Sequence, residues 1–351
     1  MRWLLAAMLA GLGALGGGAF AQAPARPNDS LYLRPGLIVA AAGTRLNLYC
    51  LGSGSPTVVF DAGHQDWAPA WSTIQPEVAR WTRACSYDRP GSGYSDPGPR
   101  PRSSARIADE LHAALHAAGI AGPYILVGHA FGGYNVRAFA YRYLDEVAGM
   151  VLLDTDTGDV EPADIQRAHH DYFIVQAREL RACGDAVAQG RPLASVPPPA
   201  NAPTYACEQR FFRGLPDPIW SAALNARLLD MVRRRVSVYD EVVAELEAMP
   251  GDEVDLQQHR RSLGARPLRI LTAGRLASDD DRTPPEAHLR HLEFDDQVAH
   301  NQARLLDLST DARQIFALHT TGGYIQFDQP DLVVATIRDV FDRAGGRVRP
   351  Q

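Results

Sequence analysis

This sequence predicts an α/β fold: a doubly wound, mostly parallel sheet interrupted by a helical insertion. Three observations carry that expectation. Short runs of β-branched and apolar residues alternate with segments whose apolar residues recur at helical spacing. Several of the runs, such as Thr57 to Asp61 and Leu268 to Ala273, read as fully buried strands bounded by turn residues. The alternation then stops from about Gly158 to Gly264, where long polar helical patterns, the loop Pro197-Pro198-Pro199 and the basic run Arg233-Arg234-Arg235 contain no buried strand.

Taken in order, Leu37 to Leu51 reads as an opening hairpin turning at Gly43-Thr44. A strand from Thr57 to Asp61, a helix from Trp71 to Trp81 and a strand from Ala84 to Asp88 follow. Apolar residues at 107, 108, 111, 114 and 115 make 105–118 an amphipathic helix. A strand entered from Gly122-Pro123 leads through small residues at 128, 132 and 133 into a helix beginning at Tyr134, and Gly149 to Leu153 is the next strand. After the insertion come the strand Leu268 to Ala273, the acidic loop Ser278-Asp279-Asp280-Asp281, a helix from about Asp296 to Leu308, a strand from Gln314 to Leu318 and a closing helix from Leu332 to Ala344. Arg233-Arg234-Arg235 reads as a solvated helix face.

Composition narrows the setting. A hydrophobic fraction of 46% in 351 residues is ample for one large core with an insertion. A net charge of −6 argues against nucleic acid or an anionic membrane as partner. Arg2, the apolar run Trp3 to Leu15 and the small-x-small pattern Ala19-Phe20-Ala21 predict a signal peptide over 1–21, hence a secreted or bacterial periplasmic protein. No later segment is long and apolar enough to span a bilayer. Four cysteines in an oxidising compartment suggest two disulfides, for which sequence alone allows three pairings.

The stretch Leu126-Val127-Gly128-His129-Ala130-Phe131-Gly132-Gly133 has the layout of a G-x-S-x-G strand–turn–helix, with alanine where the serine belongs. Other blocks accompany it: Pro56-Thr57-Val58-Val59-Phe60-Asp61-Ala62-Gly63-His64, Tyr87-Asp88-Arg89-Pro90-Gly91-Ser92-Gly93-Tyr94-Ser95, Met150 to Asp154, and Gly322-Gly323-Tyr324-Ile325-Gln326. Together, and in this order, they resemble the α/β-hydrolase superfamily. The resemblance implies a core over 22–157 and 265–351 with a helical cap over 158–264. It also implies roles. Ala130 stands at the nucleophile position and Gly323 at the base histidine's position. Asp154 is the acid candidate, with Asp279, Asp280 and Asp281 as the alternative. The backbone N–H groups of Phe131 and of the Gly63-His64-Gln65 loop are the oxyanion donors. The implied sheet order makes Cys50 and Cys85 neighbours, while Cys183 and Cys207 share the insertion, which favours the pairs 50–85 and 183–207.

A serine hydrolase needs a nucleophile, a base and an orienting acid acting together. Two of the three positions here carry neither lone pair nor proton. The expectation is therefore a non-hydrolytic protein that binds a small apolar or carbonyl-containing ligand in the former pocket, without cofactor or metal. The alternatives are an enzyme using a substitute acid or base, such as His64 or Asp154, and a protein-interaction scaffold. His129 reads as a packed core residue. His319 sits four residues before Gly323, an extended span of about 13 Å.

Overall fold

The structure, a computed structural model, describes residues 29–197, 206–274, 285–320 and 323–347. The expected signal peptide and the loop Asp279 to Asp281 lie outside the described residues. Eight strands form one sheet: β1 (Leu37–Ala41), β2 (Thr44–Leu51), β3 (Thr57–Asp61), β4 (Ala84–Asp88), β5 (Tyr124–His129), β6 (Val147–Leu153), β7 (Leu268–Ala273) and β8 (Ala312–Ala317). Their spatial order is β1-β2-β4-β3-β5-β6-β7-β8. Only the β1–β2 and β2–β4 pairings are antiparallel. Every residue of β3, β4, β5 and β7 is buried, as strands covered on both faces require.

Helices α1 (Gln75–Val78), α2 (Ser104–Ala117) and α3 (Gly132–Arg142) connect the first strands. Helices α4 (Ala163–Ala188), α5 (Ala222–Arg234) and α6 (Val236–Gln258) lie between β6 and β7. Helix α7 (Pro285–Ala303) precedes β8, and α8 (Ile325–Asp328) and α9 (Pro330–Arg343) follow it. Helix α2 starts where Ser103 caps it by accepting from the Arg106 N–H. Two expectations are corrected. The helix expected from Trp71 to Trp81 is a 3₁₀ turn, Ala68–Trp71, followed by the single turn α1. Pro69 and Pro76 each suit a helix's first turn and lack the N–H that a continuous helix would need. The arginine run is not uniformly solvated. Arg233 pairs with Glu208 and Arg234 with Asp230, but Arg235 sits at the break between α5 and α6, donating to the carbonyls of Gly93 and Ser95.

Both disulfides, Cys50–Cys85 and Cys183–Cys207, are present. The first joins directly opposed residues of β2 and β4; the second ties α4 to a 3₁₀ turn of the insertion. Buried polar contacts fasten α6 to the core. Arg102 meets Glu110 and Glu241, and Ser104 donates to Asp252. Among the described residues no helix is long and apolar enough to cross a membrane.

Candidate functional site

The turn from β5 into α3 is as tight as its glycines suggest. A Cβ at Gly132 would lie 2.3 Å from the Asp61 carbonyl oxygen, and one at Gly128 would lie 2.6 Å from that of Gly132. Between them Ala130 is held at φ +47°, left-handed backbone that alanine adopts only under constraint. Its carbonyl accepts from the Gly133 N–H (2.9 Å) and the Asp156 N–H (3.3 Å). The turn is therefore sharp, with the Ala130 methyl group at its tip.

Phe131 is the N-cap of α3, so its N–H belongs to those that a helix leaves unpaired. The facing loop is held by Arg89, whose guanidinium donates to the carbonyls of Ala62 (2.7 Å) and Gly63 (2.6 Å). Because a trans peptide opposes its C=O and N–H, the His64 N–H is turned away from Arg89. Gln65 follows at φ +62°. Arg89 also pairs with Asp61 (2.9 Å) and Glu245 of α6 (2.8 Å), all three side chains being almost fully buried.

His64 is brought to Glu245, with Nδ1 3.5 Å from the carboxylate, and not to Asp66 or Asp154. Its ring stacks on Phe131 at 4.0 Å, and Nε2 is 3.2 Å from the Met249 sulfur. Burial lowers its pKa, which favours the neutral imidazole. Asp66 lies instead beside His129, 3.9 Å away. His129 is buried; its Nε2 donates to the Gly323 carbonyl (3.3 Å) and its Nδ1 accepts from Gln326 (3.3 Å). Burial pushes His129 down to about 4. His319 is exposed.

Asp154, at φ +39° on the tip of β6, accepts from Gln302 at 3.1 Å. Gly323 presses against it. At φ +87°, a Cβ on Gly323 would fall 2.4 Å from Asp154 Oδ2. A side chain at 323 would therefore require the Asp154 carboxylate to shift.

Beside Asp154 opens a cavity of ≈ 420 Å³. Its ionisable lining adds Asp156, Glu161, His169 and Glu253, none of which the sequence reading singled out. His169 Nδ1 is 2.8 Å from Glu161, whose other oxygen accepts from Thr157 at 2.6 Å. His170 meets Glu253 at 2.6 Å, and Tyr134 donates to the same carboxylate at 3.3 Å. Burial opposes the charge on Glu161, but hydrogen bonds from His169 and Thr157 outweigh it and hold the carboxyl below its usual range. The partnership raises His169 in turn. Asp156 is pushed up by burial to about 7. The signal available in sequence was faint: Asp154-x-Asp156, then Glu161, ahead of the helix carrying His169-His170.

Asp66 provides a pH test of the site's interior. Burial raises its carboxyl to about 7, against about 3.9 in an unfolded chain. Between those values the folded protein keeps a proton that the unfolded chain has released, so this group's contribution to stability falls as pH rises. Asparagine does not titrate. The stability of Asp66→Asn relative to wild type should therefore climb from pH 4 to 7, by up to about 1.4 kcal/mol per unit, and level off above. Urea unfolding at pH 4.5, 6 and 8 measures this; a pH-independent difference would contradict it.

A family model described as the alpha/beta hydrolase fold matches residues 56–173, the segment holding the Gly63 loop, the Arg89 turn, the elbow and Asp154. The chain has the α/β-hydrolase fold. Solved structures of this fold align along nearly its whole length. A putative epoxide hydrolase mutant from Pseudomonas aeruginosa superposes with a TM-score of 0.61 at 16% identity, over 88% of this chain and 96% of that one. Cfl2 from Burkholderia cenocepacia gives 0.60 at 19%, over 88% and 97%. At these identities the likeness is one of fold. Among curated relatives, an uncharacterized protein of Schizosaccharomyces pombe is 31% identical over 45% of this chain and 39% of its own length. A 2-hydroxy-6-oxo-2,4-heptadienoate hydrolase of Pseudomonas putida is 33% identical over 34% and 44%. This α/β-hydrolase-fold chain spans less than half the length of these relatives.

Proposed function

We propose that this is an exported, non-hydrolytic α/β-hydrolase-fold protein that binds a small molecule carrying positive charge in the cavity beside Asp154. One observation carries the reading: the cavity is open while both proton-moving positions are spent, Ala130 by its side chain and Gly323 by backbone seated on Asp154. The expected ligand was apolar or carbonyl-containing. The lining supports a different class, because Asp154, Asp156, Glu161 and Glu253 face the space together with Tyr134, Tyr172 and Phe173. Carboxylates beside aromatic rings favour an organic cation. The helices between β6 and β7 act as a cap, with Tyr172 and Phe173 supplied by α4 and Glu253 by α6. Two disulfides fit an oxidising compartment.

A second reading, an enzyme with a substitute acid–base pair, is favoured by the His169–Glu161 pair more than by His64, which is buried against Glu245. The two readings part on turnover. Calorimetric titration with benzyltrimethylammonium should show saturable binding that Asp156→Asn and Glu161→Gln both weaken, whereas benzoate should show none. Hydrolysis of p-nitrophenyl acetate should stay at the level of an unrelated protein of similar histidine content. A pre-steady-state burst, or turnover abolished by His169→Ala, would replace the binding reading with the enzymatic one.

A further inference from the structure

Away from the cavity, α2 carries two histidines one turn apart, His112 and His116, which a helix places on the same face. Glu146, in the 3₁₀ turn Leu144–Glu146 that joins α3 to β6, rises between them. Its two carboxylate oxygens lie 2.8 Å from His112 Nε2 and 2.9 Å from His116 Nε2. One ligand atom from each of the three residues falls within 4.8 Å of the others. We propose that His112, His116 and Glu146 form a surface site for a borderline transition-metal dication, with Zn²⁺ as the type ion.

The site is partly organised in advance. The His112 ring lies flat on Tyr143, with centroids 3.7 Å apart and planes at 1°. The Tyr143 hydroxyl donates to Asp109 at 2.7 Å, and Arg142 holds that carboxylate at 2.8 Å. One ligand ring is thus fixed by a stack whose far end is itself pinned. A tetrahedral ion with bonds of about 2.0–2.1 Å needs ligand atoms about 3.3 Å apart. The two imidazole–carboxylate separations are about half an ångström short of that spacing, and the three ligand atoms lie within 4.8 Å of one another, so side-chain adjustment brings them around one ion. Each neutral imidazole then carries its proton on Nδ1 and gives the Nε2 lone pair to the metal, and the dication replaces the two N–H donors facing Glu146. His116 is half exposed, leaving a coordination position open to water.

Two imidazoles and one carboxylate select the ion. Ca²⁺ and Mg²⁺ require oxygen ligands, whereas Zn²⁺, Ni²⁺ and Cu²⁺ accept imidazole. The expectation of no metal was drawn from the pocket residues alone, and none of these three side chains lines the cavity. Binding would clamp the second half of α2 to the turn before β6.

The untagged full chain, treated with chelator, is titrated calorimetrically with ZnCl₂, then with CaCl₂ and MgCl₂. We expect one equivalent of Zn²⁺ bound and no saturable heat from the other two ions. His116→Ala and Glu146→Gln, both at partly exposed positions, should each weaken Zn²⁺ by at least about tenfold, with far-UV circular dichroism unchanged. Co²⁺ in place of Zn²⁺ should give visible d–d absorption that His116→Ala removes. Undiminished one-to-one binding in both variants overturns the assignment. So does affinity that disappears in His169→Ala and survives in His116→Ala, or no saturable Zn²⁺ binding to the wild type.

Discussion

Ala130→Ser combined with Gly323→His is expected to produce no esterase turnover and a protein less stable by about 2–4 kcal/mol. Restoring the two missing side chains is what the sequence alone recommends. The structure opposes it at one atom pair, the 2.4 Å between a Cβ on residue 323 and Asp154 Oδ2. Histidine there must adopt φ +87°, which costs about 1 kcal/mol, and must force Asp154 or the loop aside, an overpacking penalty of about 1–3 kcal/mol. An imidazole so displaced stands wrongly for proton transfer from residue 130, and an error of about 1 Å already costs about 10²-fold. Ala130→Ser alone should be folded and inert, because a serine without its base is a weak nucleophile. Urea unfolding and p-nitrophenyl acetate hydrolysis of the single and double variants provide the check. Turnover in the double variant beyond the product of the single effects would show that the loop yields readily and would overturn the expectation.

The second large effect is expected at Arg89. Arg89→Met leaves Asp61 and Glu245 buried without their cation and removes the donors to the carbonyls of Ala62 and Gly63. Breaking one side of such an arrangement costs about 3–5 kcal/mol. Although burial opposes its charge, attraction to Arg89 helps hold the Glu245 carboxyl down at about 2 in the intact protein. Its stabilising contribution is therefore full above the ordinary carboxylate range and is lost only as pH falls toward 2. In Arg89→Met the carboxyl should titrate far higher, so the deficit should shrink as the pH is lowered from 7 to 5. The double variant Arg89→Met with Glu245→Met should recover a large part of the loss, giving a coupling energy that urea unfolding at pH 7 can read. Additive single effects would mean that the two residues stabilise the fold separately.

What the sequence made legible follows from how local each signal is. The central strands are continuous apolar runs, and the elbow announces itself through Gly128, Gly132 and Gly133, because no larger residue fits those contacts. The disulfide pairs followed once the strand order was inferred from resemblance. The cavity was hidden because its acidic wall is assembled from distant segments, Asp156 and Glu161 after β6, His169 on α4 and Glu253 on α6. Each is unremarkable among the polar residues of its own segment. The pairing of Arg89 with Glu245 spans 156 positions and has no periodic trace. The seating of Gly323 on Asp154 was out of reach for another reason. Glycine's letter leaves the backbone angle open, so neither the φ of +87° at Gly323 nor its approach to Asp154 could be read from it.

Arg89 also decides how anything enters. Its fork grips the loop below and α6 above at once, so α6 cannot swing outward as a hinged door without separating buried charges, at a cost of about 3–5 kcal/mol. At that cost such an open form amounts to less than about one molecule in a hundred. Helix α4 has no such tether to this loop among the described contacts, and its Tyr172, Ile174 and Val175 are exposed. Helix α4 is fastened instead to α6, where His170 meets Glu253, and to the rest of the insertion through Cys183–Cys207. The two helices are therefore linked in series to the loop through Arg89, and loosening that residue should loosen both.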